Sequence, residues 1–447
     1  MNTIIVSLSY LRDLLWGWPT IVFVLFVGGL CTVMFHFVQL RYFFTVWSYL
    51  FKSEEAIETR EKKGDMTSFQ AFLNTLSANL GNGSIAGVAT PIYAGGPGTL
   101  LWMVIIGLLL SSVRFAEVFL SVQAGMEKKT TSSLGGPMLY LRDVPYIGTV
   151  LASLYGFGVL IFSFVLGNAL QTNSIRVSAE QTWGISPLIV AIIASLFIIY
   201  VLFGGAKRIV QVSEYIVPLK VGTFFMTTFL VLGYHWKHLG AALKLIVVSG
   251  LSSQAAWGGV MGFTVIQAMR FGISRSIFAT EAGLGTAAIL FGSTNSNNAV
   301  KDSIVAMLST FISTLACFII GLCIVVTGVW NNGMTSTALT IASYQTVFGA
   351  AAGWLVSFLS ISFGIGVFVA FAYITRSAWL FVTSGRFELL FVLCYTAVAF
   401  IGAMVDVELV FAFGDIANAF ILILNLFGIL WLTMKPRRAL EFFEKTL

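Results

Sequence analysis

Apolar runs about twenty residues long recur along the chain, separated by short polar segments. A helix rising 1.5 Å per residue needs about 20 apolar residues to cross roughly 30 Å of hydrocarbon, so each run predicts a membrane-spanning helix. Eleven spans result, near 17–46, 67–93, 98–122, 146–172, 187–204, 209–233, 245–271, 302–330, 351–382, 388–405 and 409–433. An odd number of crossings puts the two termini on opposite sides.

Two of these spans break the pattern from within. Gly81-Asn82-Gly83-Ser84 interrupts span 67–93, and Gly258-Gly259 with Gly262 interrupts span 245–271. Non-helical backbone at membrane depth is tolerated only where protein buries it or it lines a cavity. With the first span set aside, ten remain, and each set of five opens on an interrupted span. Five is odd, so the second set enters the membrane from the opposite side. Paired broken helices of an inverted repeat meet at the midplane and form a binding site, where amide N–H groups face an anion and carbonyls face a cation. Close helix packing is the plainer use of such glycines, but two matched breaks opening two matched halves favour the site. The expected fold is all-α and polytopic, a five-plus-five inverted repeat with one extra N-terminal helix. Its divisions are a peripheral helix and basic segment (1–64), a first repeat (65–234), a second repeat (235–434) and a C-terminal tail (435–447).

Composition agrees with this class and excludes a soluble one. The chain is 58% hydrophobic and 10% charged, with a mean hydropathy of +0.93, outside the range of soluble domains. Cys31, Cys317, Cys323 and Cys394 all lie in apolar runs without metal-ligand spacing and read as core residues. The run Ile21 to Phe35 precedes a basic segment rather than a cleavage site, so it is expected to remain as a helix. Lysine and arginine fall overwhelmingly in the loops on the side of the C-terminus, leaving Arg12, Arg176, Lys237 and Lys244 on the other. By the positive-inside rule the C-terminus is cytoplasmic and the N-terminus outside. The net charge of +6 thus describes loops facing anionic lipid, with no call for nucleic acid.

Several motifs then occur in order: Gly83-Ser-Ile-Ala-Gly-Val-Ala89, Gly95-Gly-Pro-Gly98, Gly135-Gly-Pro-Met138, Gly167-Asn168 with Gln171 and Asn173-Ser174, Glu281-Ala-Gly-Leu-Gly285, Thr327-Gly-Val-Trp330 and Asp415-Ile-Ala-Asn-Ala419. With them the sequence resembles the alanine or glycine:cation symporters, bacterial and archaeal amino-acid transporters of LeuT-type fold, from about Ser68 to Leu432. The resemblance implies a symporter in the cell membrane that moves a small neutral amino acid, alanine or glycine, with sodium or a proton as coupling ion and no other cofactor. It implies that the unwound first core helix, Asn79 and Gly81, Asn82, Gly83 and Ser84, holds the substrate carboxylate. The expected partners on other spans are Asn168 and Gln171, Gly262 and Phe263 (or Phe271), and Phe371. Asn168 and Gln171 share a helix face, and an interhelical hydrogen bond is their simpler use. No basic residue lies beside either break, which disfavours substrates with a second carboxylate.

A sodium site in such proteins pairs carbonyls of the first broken helix with hydroxyls of the ninth span. Here Gly366-Val367 stand at that place, so a rearranged set of Ser309, Ser313 and Thr314 is the candidate, with backbone bonding as the alternative. Glu281 could latch Arg270 or Arg275 as an inner gate. Arg114 and Glu117, three apart within a span, read as a structural ion pair. An enzyme would need a nucleophile with its base or an acid pair inside the spans, and neither is present. A channel would want a continuous polar stripe or rings of like charge, and a receptor an added cytoplasmic domain.

Overall fold

The computed structural model describes residues 14–51, 65–127, 134–251, 265–296, 298–405 and 407–434. Helices dominate them, and a single bridge between Met66 and Thr294 is the extent of β pairing among the described residues. We label the main helices α1 (Trp18–Met34), α2 (Ser68–Asn79), α3 (Ala86–Gly95), α4 (Thr99–Glu127), α5 (Gly148–Trp183), α6 (Pro187–Phe203), α7 (Gly205–Tyr234) and α8 (Leu239–Leu251). The rest are α9 (Val265–Thr280), α10 (Thr286–Gly292), α11 (Ala299–Val326), α12 (Ser336–Phe348), α13 (Ala351–Val382), α14 (Glu388–Met404) and α15 (Val407–Thr433).

Helices α4, α5, α7, α11 and α13, and the Phe413–Thr433 stretch of α15, are each long and apolar enough to cross a membrane, while α1, α6 and α14 are apolar but shorter. Span 67–93 is divided as its glycines require. Thr67 and Gln70 form a reciprocal capping box that starts α2. The helix stops at Leu80, a 3₁₀ turn runs Asn82–Ser84, and α3 resumes at Ala86. The span expected at 245–271 corresponds to α8 and α9, which flank residues 252–264. Those residues, with Gly258, Gly259, Gly262 and Phe263, lie outside the described ones.

Several boundaries differ: the helix of the span expected at 17–46 ends at Met34, with short helices Val38–Arg41 and Thr45–Phe51 beyond it, and α9 runs past 271 to Thr280. The span expected at 146–172 continues to Trp183 as α5, 36 residues long. Its last turns are polar, which ended the apolar run, but they keep packing. Ser178 Oγ donates to Ser360 Oγ of α13 at 2.8 Å, Arg176 pairs with Glu180 at 2.8 Å, and Gly184 closes the helix at φ +67°. Within α5 the residues Ser163–Ala169 form a π segment, a local widening often found at functional sites.

Helix α1 lies at the periphery against α4 and turns Val22, Phe26 and Val33 outward, the face lipid would cover. Close approach organises the interior. A Cβ on Gly107 of α4 would stand 2.3 Å from Thr314 Oγ1 of α11, so glycine lets these two helices touch. Ser68 Oγ donates to the buried Asp302 at 2.6 Å and ties the start of α2 to α11. The broken helix α2/α3 is thereby clamped among α7, α9, α11, α12 and α13.

Candidate substrate site

A small cavity of about 30 Å³ opens at the break, lined by Ala78, Asn79, Gly81 and Gly83 of the interrupted helix. Facing them are Phe162, Leu166 and Gln171 from around the π segment of α5, Phe278 from α9, Glu281 and Leu284, Val367 and Phe371 from α13, and Asn418 from α15. Aromatic and aliphatic walls enclose a few polar groups, the usual composition of a small-molecule site.

Those polar groups are incompletely paired. Asn79 is 4% and Asn418 1% exposed, and neither the oxygen nor the nitrogen of either amide has a hydrogen-bond partner among the described residues. A buried polar group left unpaired costs about 1–3 kcal/mol, so two whole amides facing one cavity mark a place for a polar ligand. Glu281, also buried, accepts from Thr286 Oγ1 at 2.8 Å and lines the same cavity. Gln171 is fixed by its own helix: Nε2 donates to Leu166 O at 2.9 Å, five residues back, where the π segment puts that carbonyl within reach. Asn82 turns behind the cavity, accepting from Ser360 Oγ at 2.7 Å and reaching Gln171 Oε1 at 3.5 Å.

Glycine is required at the break because the opposite walls are close. A Cβ on Gly81 would meet Val367 Cγ2 at 2.6 Å, and one on Gly83 would meet Phe278 Cε1 at 2.6 Å. The floor is the turn Glu281–Gly285, in which Glu281, Gly283 and Gly285 have positive φ. Glu117 Oε2 accepts the backbone N–H of Gly283 at 3.2 Å and of Gly285 at 3.0 Å, Asn425 Nδ2 donates to Gly283 O at 2.8 Å, and Tyr155 Oη donates to Leu284 O at 2.6 Å. Arg114 completes the lock, pairing with Glu117 Oε1 at 2.7 Å and donating to Thr280 O. Both ion-pair partners are fully buried. The pair is structural, holding the turn that aims Glu281.

The structure therefore gathers Asn79, Gly81, Gly83, Gln171, Phe371 and Glu281 of the anticipated residues, with Asn82 and Ser84 in the buried turn beside them. Other expectations need correction. Asn168 lies off the cavity; its Nδ2 donates to Tyr395 O of α14 at 2.7 Å, the interhelical use of an amide. Phe271 lines a separate cavity with Arg270 and Arg275. The latch is not formed, because Glu281 points to Thr286 and makes no ion pair with Arg270 or Arg275, while Arg275 lies over the Phe278 ring at 5.7 Å. Ser309, Ser313 and Thr314 do not converge on an ion. Ser309 donates to Ala306 O at 2.7 Å and Ser313 to Ser309 O at 2.8 Å, each satisfied within its own helix. Thr314 packs against Gly107 of α4 and lines an apolar cavity among α4, α7, α8 and α11. Asn418 and Phe278 escaped notice in the sequence, although Asn418 sits inside the Asp415-Ile-Ala-Asn-Ala419 motif.

The sequence profile described as the sodium:alanine symporter family matches residues 1–447. An uncharacterized transporter of Haemophilus influenzae is similar at 31% identity, over 95% of this chain and 93% of its own. The sodium/alanine symporter AgcS of Methanococcus maripaludis is 28% identical, covering 94% of this chain and 93% of that protein. The probable sodium/glutamine symporter GlnT of Bacillus subtilis is also 28% identical, over 96% and 88%. Among solved structures, the outward-open, substrate-bound state of a Na+-coupled sialic acid symporter superposes with a TM-score of 0.53 at 14% identity, over 96% of this chain and 86% of that one. That last likeness is one of fold.

Proposed function

Because the chain belongs to the sodium:alanine symporter family, whose members are membrane symporters and not enzymes, we propose that it takes up small neutral amino acids, alanine and glycine foremost, by alternating access driven by a cation gradient. The observation that carries this reading is the cavity at the break, where the unpaired amides of Asn79 and Asn418 face the Glu281 carboxylate between aromatic walls. A zwitterion matches it. The substrate ammonium takes the Glu281 carboxylate, and its carboxylate takes the amide nitrogens and the N-terminal end of α3, where backbone N–H groups and the helix dipole favour negative charge. Among the described residues no lysine or arginine lines the cavity, so a second carboxylate on the substrate would go unpaired. The narrow space between Phe162, Phe278 and Phe371 limits the side chain to a few atoms.

In this reading the chain crosses the membrane eleven times, with the N-terminus outside and the C-terminus cytoplasmic, and the helices from α2 to α15 form two inverted halves around the site. Competition against labelled alanine tests the specificity. Glycine, serine and D-alanine are expected to displace it, glutamine to compete weakly, and glutamate and lysine not to compete. Displacement by glutamate as effective as that by glycine would overturn the assignment.

A further inference from the structure

Lys220, in the middle of α7, is fully buried. An ammonium at membrane depth is costly unless oxygen atoms close around it. The oxygens it meets all belong to the last turn of α2 and the unwound residue beyond: Nζ donates to Ser77 O at 2.9 Å, to Leu80 O at 2.9 Å and to Ser77 Oγ at 3.3 Å. The Phe363 ring covers it, with the nitrogen 5.4 Å from the centroid. Among the described residues it makes no ion pair with a carboxylate. Carbonyl and hydroxyl oxygens at the C-terminal, electronegative end of a half-helix are the surroundings in which transporters seat a monovalent cation.

The facing helix is shaped to the amine. A Cβ on Gly366 of α13 would stand 2.3 Å from Lys220 Nζ and 2.9 Å from Ser77 Oγ. Gly366 O accepts from Ser77 Oγ at 2.8 Å, which closes the ring of contacts. A hydroxyl side chain at 366, which would complete an oxygen cage for a free ion, cannot coexist with the lysine as placed. The seat adjoins the substrate cavity, since Leu80 lies between the cavity-lining Asn79 and Gly81.

We propose that the Lys220 ammonium is a tethered cation that fills the ion position between the broken helix and α13, so that no free sodium ion binds there and a built-in charge holds the break in its substrate-binding form. The proposal deepens the transport reading and rests on it. Lys220 is a positioning residue, acting on substrate through the carbonyls of Ser77 and Leu80.

The test uses the purified full chain in lipid nanodiscs, with melting temperature and alanine binding followed as sodium chloride replaces choline chloride at constant ionic strength. For the unaltered protein, melting is expected to be insensitive to the replacement and alanine affinity to stay within about twofold. Lys220→Ala should bind alanine roughly tenfold or more weakly in choline, and sodium entering the freed space should raise both its melting temperature and its affinity. Lys220→Met, which fills the space without charge, should lose affinity and gain nothing from sodium. Sodium-dependent melting of the unaltered protein would overturn the proposal, as would a Lys220→Met variant that binds alanine normally in choline. Should the variants not fold, the melting of the unaltered protein decides alone. Sodium-insensitive melting without alanine binding in any arm would refute the substrate reading and leave the assignment of Lys220 standing.

Discussion

Asn79 and Asn418 bury complete amides that bond to nothing among the described residues, and in the proposed reading a bound amino acid recovers this cost. Asn79→Ala and Asn418→Ala should each weaken alanine binding about tenfold, the worth of one or two buried hydrogen bonds. Their melting temperatures should stay near that of the unaltered protein, because no intramolecular bond is lost; titration calorimetry and thermal scans measure the two effects. Glu117 is the opposite case. It is buried, paired with Arg114, and holds the Gly283–Gly285 backbone. Removing one member of a buried pair costs about 3–5 kcal/mol, so Glu117→Ala should lower stability strongly in thermal or denaturant unfolding. A glutamine there should cost less, since it keeps an oxygen for the two N–H groups. Site residues that disturbed the local pattern were legible in the sequence, as with Gly81 and Gly83 inside an apolar run. Residues whose role depends on distant partners were not. Lys220 is 143 positions from Ser77, and nothing within α7 signals that the two meet. The hydroxyls of Ser309 and Ser313 misled because short polar side chains in a helix can satisfy themselves on its own carbonyls.

Among the elements, α5 shows how a helix can aim its residues. A π segment holds one residue more than an α-helix of the same length and widens the turn locally. Gln171 stands two residues past the segment Ser163–Ala169, and its bond to Leu166 O exists because of that widening. Deleting Val165 should convert the segment to α-helix and remove the widening that brings Leu166 O within reach of Gln171 Nε2. Alanine binding should then fall by roughly tenfold or more in a protein that still inserts and melts cooperatively; unchanged binding would show that the π segment does not position the site. Some helix ends carry local signals, such as the capping box of Thr67 with Gln70 and Pro187 at the start of α6. The end of α5 was not, because polar turns can stay helical when a neighbour offers hydroxyls, as α13 does through Ser360.

On the scale of the molecule, hydrophobic patterning fixes the class, and the break between α2 and α3 locates the cavity within it. Six helices stand out individually as membrane-crossing by length and hydropathy. The interrupted helix α2/α3 is divided where its middle lines the cavity, so its pieces carry too little continuous apolar length to be recognised alone. Long apolar helices such as α4 and α11 supply the frame, and the unwound backbone supplies the chemistry. The central claim is that this arrangement moves a small neutral amino acid against its gradient. Uptake of labelled alanine into proteoliposomes, with a sodium gradient and a proton gradient imposed separately at fixed membrane potential, tests it most directly. The account predicts accumulation inside above the external concentration under at least one of the two gradients, and collapse of that accumulation when the gradient is dissipated. Alanine that merely equilibrates, or fails to enter under either gradient, would contradict it.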